Sequence, residues 1–442
     1  MPDRPLTFLF MPESAYGPTN NCVGIGEILL RRGHDVVFAA EASWAGKLEA
    51  LGFAEDLVDL APPPEPAGDD DAGAATEADP GAFWKEFIRD TAPEFRKPTI
   101  EQLATFMQPT WQALIDGARY CEPQLREIIA RSRPDVIVED NVVAFPALTT
   151  AGVPFVRIVS CNPLEIPGRD IPPPYSGLPA GDRSQWAAFR AEYDRTHRPM
   201  WSEFDAWCRE QGMAPLPDLE FEPTSPYANL YVYPEAADYT DARPLGPTWH
   251  RLDSSVRTTD PTVDLPGLLT DRPDGSALVY LSLGSLGSAD VDLMKRLVAV
   301  LGDTPHRYIV SKGPQAAEYE LAPNMWGAEF LPQTTLLPLV DVVITHGGNN
   351  TTTEAFHHGK PMIVLPLFWD QYDNAQRVDE TGFGVRLATY SFEDEQLTGA
   401  IDRLASDTHL RARMAANAEV IRSRDGRTRA ADVLEQVARA AS

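Results

Sequence analysis

The chain has 442 residues, too many for one ordinary domain, and 43% of them are hydrophobic, enough for two or three buried cores and too many for a disordered chain. Sixty-five acidic against 38 basic side chains leave a formal charge of −27. That field repels phosphate backbones and anionic lipid, so binding to nucleic acid or to a membrane surface is not expected, and the charge reads as a solubility device.

The predicted elements alternate strand and helix. Leu6–Met11 is a short apolar strand, Cys22–Arg32 a helix closed by Gly33-His34, and Asp35–Ala40 a second strand. Further apolar runs follow at Asp135–Val138, Phe155–Val159, Asn229–Val232, Ala277–Leu281, Arg307–Val310, Val342–Ile344 and Met362–Leu365. Continuous Val/Ile/Leu runs of this kind are buried on both faces, so the fold class is α/β with parallel sheets covered by helices. Residues 62–81, rich in Pro, Ala, Gly and acid, read as a long solvated loop, and Asp69-Asp70-Asp71 within it reads as part of that loop rather than as a metal-binding motif. A stretch rich in Pro, Asp and Thr reads as a linker over 236–275, between an N-terminal domain (1–235) and a C-terminal domain (276–442). The tail is helical, and it is expected to cross back to the first domain.

Four cysteines (Cys22, Cys121, Cys161, Cys208) are scattered without a CxxC pair or a nearby histidine, which suits free thiols in a reducing compartment. The run after Met1 is too short for a signal-peptide core, and no stretch is long enough to span a bilayer. The expectation is a soluble, cytoplasmic protein. Gly24-Ile25-Gly26 lacks the third glycine of a dinucleotide fingerprint and reads as close helix packing.

The most informative stretch is 330–375, FLPQTTLLPLVDVVITHGGNNTTTEAFHHGKPMIVLPLFWDQYDNA. His346 stands at the carboxyl end of a strand, Gly347-Gly348 allow a tight turn, and Asn349, Asn350 and Thr351 read as N-cap residues of a helix that runs from Thr352 to Gly359. Ligands of parallel sheets sit beyond the carboxyl ends of strands, and a helix N-terminus there binds anions. A sugar nucleotide fits these residues part by part. The Gly348 amide, Asn350 and Thr351 face a diphosphate, His346 donates to a phosphate oxygen, and Glu354 meets two vicinal ribose hydroxyls. Asp370 and Gln371 meet the sugar hydroxyls, and Phe330 stacks on the base.

In this order and spacing the stretch resembles the donor-binding signature of the family-1, UDP-dependent glycosyltransferases. Phe330, Pro332-Gln333, His346, Gly348, Asn350-Thr351, Glu354 and Asp370-Gln371 stand at the signature's positions. The plant form has tryptophan where Phe330 and Asn349 stand, and Asn349 is counted here with the donor-binding residues. Leu281-Ser282-Leu283-Gly284-Ser285 resembles the family's phosphate-side loop, which adds Ser285 to the donor site. The resemblance implies the GT-B fold, two Rossmann-like parallel-sheet domains facing a central cleft. It also implies inverting transfer of a hexose, glucose first, from a UDP-sugar to a small, largely apolar natural product, with no metal and no other cofactor.

One family element is missing. Its general-base histidine follows a glycine at the first helix, but here Gly17 is followed by Pro18, which carries no proton. The aspartate that orients that histidine is matched by Asp140, which reads equally as a helix N-cap. Asp140 is the expected base, directly or through one water, with Glu13 in reserve. Aromatic residues in 83–111 and 186–207 read mostly as core, with some lining an acceptor pocket. Two rivals stay open: a sugar-nucleotide-binding protein without turnover, and an epimerase or lipid-linked sugar transferase on the same fold. The oligomeric state is not legible.

Overall fold

The computed structural model describes residues 4–62 and 91–441. The loop at 62–81 with its aspartates, apart from its first residue, and the aromatic residues at 83–90 lie outside the described residues. The chain forms two parallel sheets. The first has seven strands, β1 (Thr7–Pro12), β2 (Asp35–Phe38), β3 (Ala54–Glu55), β4 (Val136–Asp140), β5 (Phe155–Val159), β6 (Ala228–Tyr231) and β7 (Trp249–Arg251), in the order β3-β2-β1-β4-β5-β6-β7. The second has six strands, β8 (Leu278–Ser282), β9 (Arg307–Ser311), β10 (Met325–Ala328), β11 (Val342–Thr345), β12 (Met362–Val364) and β13 (Gly384–Arg386), in the order β10-β9-β8-β11-β12-β13. The winding direction reverses between β1 and β4 in one sheet and between β8 and β11 in the other. These are the switch points at which crevices open in doubly wound sheets.

Side-chain alternation along the strands supplies both faces of the first sheet. Phe8, Phe10, Val136, Val138, Val156 and Ile158 enter one buried cluster, whereas Leu9, Met11, Ile137, Phe155 and Val159 enter the other, which continues into the second domain. Two helices close the first cluster, α1 (Tyr16–Arg31) and the C-terminal α3 (Gly426–Ala441), with α2 (Asn349–His357) between them in the sequence. Ala430, Ala431 and Leu434 of α3 are buried against the first sheet, and Arg32 pairs with both Asp432 and Glu435 at 2.8 Å. Gly24 and Gly26 pack closely: a Cβ on Gly24 would lie 2.8 Å from the Ser255 carbonyl, and one on Gly26 2.8 Å from the Phe53 ring.

Within the first domain, two elements depart from the sequence reading. Strand β7 falls inside 236–275, so the first sheet runs on to Arg251 and the connecting segment is shorter. Trp249–Arg251 is held there by parallel pairing with β6, and it carries no run of apolar residues by which to be recognised. Helix α1 begins at Tyr16 rather than Cys22. Pro18 sits in its first turn, where a missing N–H costs nothing.

Candidate active site

Both switch points open onto one cavity of about 580 Å³ between the domains. Ser285, Phe330, Gln333, His346, Gly348, Asn349, Asn350, Thr351, Asp370 and Gln371 form its second-domain wall, and Glu13, Tyr16, Pro18, Trp44, Asp140, Ser160 and Glu165 lie on the other side.

His346 follows β11 directly. Gly347 turns the chain with φ +89°, and a side chain there would strike Val364 at 2.6 Å. The imidazole lies between Gly284 and Gly348, where added Cβ atoms would come within 2.8 and 2.5 Å of the ring. Burial lowers its pKa to about 4, with a backbone hydrogen bond at Ser282 opposing the shift. The ring is therefore neutral at pH 7 and presents an N–H without a full charge.

Helix α2 starts one turn earlier than the sequence suggests. Its N-cap is Gly348, with no side-chain cap, and Asn349, Asn350 and Thr351 form its first turn. First-turn N–H groups have no partner within a helix, so they are free to meet an anion in the cavity. Asn349 departs from the donor role: its amide donates to the carbonyls of Ser160 (2.6 Å) and Val232 (2.9 Å), tying the second domain to the first. Glu354 also departs from expectation. It is 1% exposed and set behind the wall, where its carboxylate accepts from Gln333 (2.6 Å), Asn350 (3.0 Å) and Arg257 (3.2 Å). Ribose hydroxyls would have to take the places of Gln333 and Arg257.

Asp370 commits Oδ2 to the Asn162 N–H at 2.8 Å, a second tie between domains. Gln371 turns its carbonyl to the N–H groups of Leu367 and Phe368, which leaves its NH₂ for a ligand. Phe330 is 51% exposed with its ring 6.0 Å from Tyr16, which in turn lies 5.2 Å from Trp44. These rings make an aromatic mouth to the cavity.

On the first-domain side, the β1–β4 register sets Pro12 opposite Asp140 and brings Glu13 beside it, its N–H donating to the Asp140 carbonyl at 2.7 Å. Asp140 is not a helix cap. Its carboxyl is 3% exposed and accepts from the Ser160 hydroxyl at 2.8 Å. Burial, with Glu13 and Glu165 adding negative potential, pushes its pKa up to about 8, and burial raises Glu13 as well. A carboxylate of that basicity can take a proton from a hydroxyl.

Arg257, Glu165 and the Trp44–Tyr16 pair escape the sequence reading. Arg257 lies in the connecting segment, and its only local signal is Asp260 three residues on, with which it forms an ion pair at 2.8 Å. Among the described residues no group of three or more His, Cys, Asp or Glu side chains is arranged to hold a metal, and no helix is long and apolar enough to cross a membrane.

Residues 270–418 match the family model of UDP-glucoronosyl and UDP-glucosyl transferase. That stretch, about a third of the chain, carries the donor-binding signature and is similar to this glycosyltransferase family. It is 26% identical to an oleandomycin glycosyltransferase of Streptomyces antibioticus over 96% of this chain and 88% of that one. Against a demethyllactenocin mycarosyltransferase of Streptomyces fradiae, identity is 23% over 97% and 86% of the two chains. Among solved structures, the glycotransferase of kitacinnamycin superposes with a TM-score of 0.69 at 20% identity, covering 98% of this chain and 100% of its own. The glycosyltransferase VinC, solved in complex with DTDP, gives 0.65 at 18% identity, with 98% and 100% covered. The fold is GT-B.

Proposed function

We propose that this glycosyltransferase moves glucose, with inversion, from UDP-glucose to a hydroxyl of a small, largely apolar natural product. The observation that carries the reading is one cavity with the donor signature on its second-domain wall and a buried, basic carboxylate on the other. In the reaction the acceptor oxygen bonds to the anomeric carbon from the face opposite the diphosphate, its proton passes to Asp140, and the bond to the diphosphate breaks. The charge that grows on the leaving group is met by the α2 amides, Thr351 and the neutral His346, in a water-poor site where such contacts are strongest. No metal takes part. The action is cytoplasmic, where sugar nucleotides are made.

The choice of UDP over dTDP rests on Glu354, whose carboxylate would accept from both ribose hydroxyls and lose one partner when the 2′-hydroxyl is absent. The test is to incubate the protein with UDP-glucose, other UDP-sugars and dTDP-sugars against phenols, macrolides and terpenoids, and to look by mass spectrometry for addition of one sugar. Tight UDP binding with no product across the panel favours the reading without turnover, which the replacement of a family histidine by Pro18 motivates. Conversion of the sugar nucleotide without an acceptor favours an epimerase.

A further inference from the structure

A second cavity, of about 170 Å³, lies inside the first domain, and the transfer chemistry does not use it. It adjoins the large one: Val142 and Glu165 line both. Trp111, Tyr175 and Tyr193 give it aromatic walls, and Trp111 stacks at 4.1 Å on Trp369, which lines the large cavity.

Its charges do not balance. Arg157 and Arg190 face the cavity with Glu165, Glu220 and Glu222. Arg190 is turned away to backbone, donating to the Ile171 carbonyl at 2.7 Å. Arg157 meets Glu222 at 2.6 Å, and the strand register sets Glu139 beside it. One guanidinium therefore serves Glu139, Glu165, Glu220 and Glu222. Beyond the ion pair with Arg157, Glu222 Oε1 has no hydrogen-bond partner, nor does the indole N–H of Trp111, although both side chains line the cavity and both are 2% exposed. Glu139, wholly buried behind them, is in the same condition. Burial raises Glu139, Glu165 and Glu222 above the ordinary carboxylate range, with Arg157 the shared cation that opposes the shift. Buried polar groups are nearly always partnered, so a carboxylate oxygen and an indole N–H left without partners on one cavity wall call for a ligand group.

The ligand chemistry follows from the lining. A cation restores the charge balance, gives Glu222 a donor and sits against aromatic faces, which attract cations. An anion is repelled, and a neutral hydroxyl leaves the excess charge in place. At roughly 30 Å³ per water, the volume is about that of five or six waters, which is room for a dialkylamino arm. We propose that this cavity is a subsite for a protonated secondary or tertiary amine carried by the acceptor, entering from the large cavity past Val142 and Glu165. The proposal rests on the first domain being the acceptor side.

The probes are N,N-dimethyltyramine and its neutral isostere 4-(3-methylbutyl)phenol, titrated by calorimetry into the full chain, with UDP titrated in parallel. The amine is expected to bind at least tenfold more tightly than the isostere. The Glu222→Gln and Glu165→Gln variants should each cut that preference to less than threefold, with UDP affinity unchanged. Glu165→Gln leaves the Arg157–Glu222 pair intact, so it reads the subsite even if Glu222→Gln fails to fold. Equal affinities in the wild type, no binding of the amine, or a preference that survives Glu165→Gln would overturn the subsite. The amine result decides the subsite and the UDP result decides the donor reading, so each can fail without the other.

Discussion

If Asp140 is the base, activity must follow its ionisation. With a pKa of about 8, only about one molecule in a hundred carries the carboxylate at pH 6, so kcat/KM on an aliphatic alcohol should climb close to tenfold per pH unit from 6 towards 8 and level off above it. Asp140→Asn preserves the shape and the Ser160 hydrogen bond but accepts no proton. General-base catalysis contributes roughly 10²–10⁴-fold, so the variant should lose that much on the alcohol and far less on a nitrophenol that is already ionised. Initial rates of glycoside formation, measured by chromatography over pH 6–9 on both acceptors, check the argument. A flat profile on the alcohol, or alcohol rates within threefold of wild type in the variant, would refute it.

The same group should mark stability. Its pKa rises on folding, so the folded state holds the proton more tightly than the unfolded chain. Stability is therefore fully present below the ordinary carboxylate range, near pH 4, and is lost as pH climbs towards 8. Asp140→Asn should flatten that part of the pH dependence of the urea midpoint.

Three further outcomes are expected. Pro18→His should raise the alcohol rate and move the pH profile to lower pH, read from the same rate series. Glu354→Gln should weaken UDP by about ten- to a hundredfold, the loss of a charge-assisted hydrogen bond of ~1.5–3 kcal/mol, and should weaken dTDP less, because only its 3′-hydroxyl meets the carboxylate, as calorimetry would show. Gly24→Ala should destabilise by about 1–3 kcal/mol, because the added carbon meets the Ser255 backbone at 2.8 Å, whereas Gly399→Ala, with no atom within 4 Å of its Cβ, should stabilise by up to about 1 kcal/mol; urea melts compare the two.

The sequence shows central strands better than edges. β1, β4, β5, β8, β9 and β11 have neighbours on both sides, bury both faces and so carry unbroken apolar runs. The edges β3, β7, β10 and β13 are two to four residues long, and Ala-Glu, Trp-His-Arg, Met-Trp-Gly-Ala and Gly-Val-Arg form strands only because a neighbouring strand lends its ladder. The second-domain wall of the cavity was legible for a similar reason: it is local. His346, Gly348, Asn350 and Thr351 all come from one strand–turn–helix unit, whose spacing is a property of the segment itself. Asn349 and Glu354 sit in the same unit, but three of their partners, Ser160, Val232 and Arg257, lie 97 to 189 residues away, and no local pattern could show those contacts.

Pro18 and the basicity of Asp140 belong to one arrangement. An aspartate set against a histidine would face an imidazolium once the proton had moved, and an adjacent positive charge lowers a carboxyl pKa. Here its neighbours are the neutral Ser160 hydroxyl at 2.8 Å and the Cys22 thiol at 4.0 Å, with Glu13 and Glu165 adding negative potential. Removing the histidine from the first turn of α1 thus takes away a base, and also the cation that would have held Asp140 acidic. What remains is a carboxyl that burial makes basic, and the proposed reaction asks it to take the proton unaided. That is why restoring the histidine should not simply add a second base: by lowering the Asp140 pKa it would return the aspartate to an orienting role and hand the proton to the imidazole, and Pro18→His should then make the alcohol reaction less sensitive to pH between 7 and 9. A Pro18→His variant that kept the wild-type profile, with an inflection still near pH 8, would show that the two positions are not coupled.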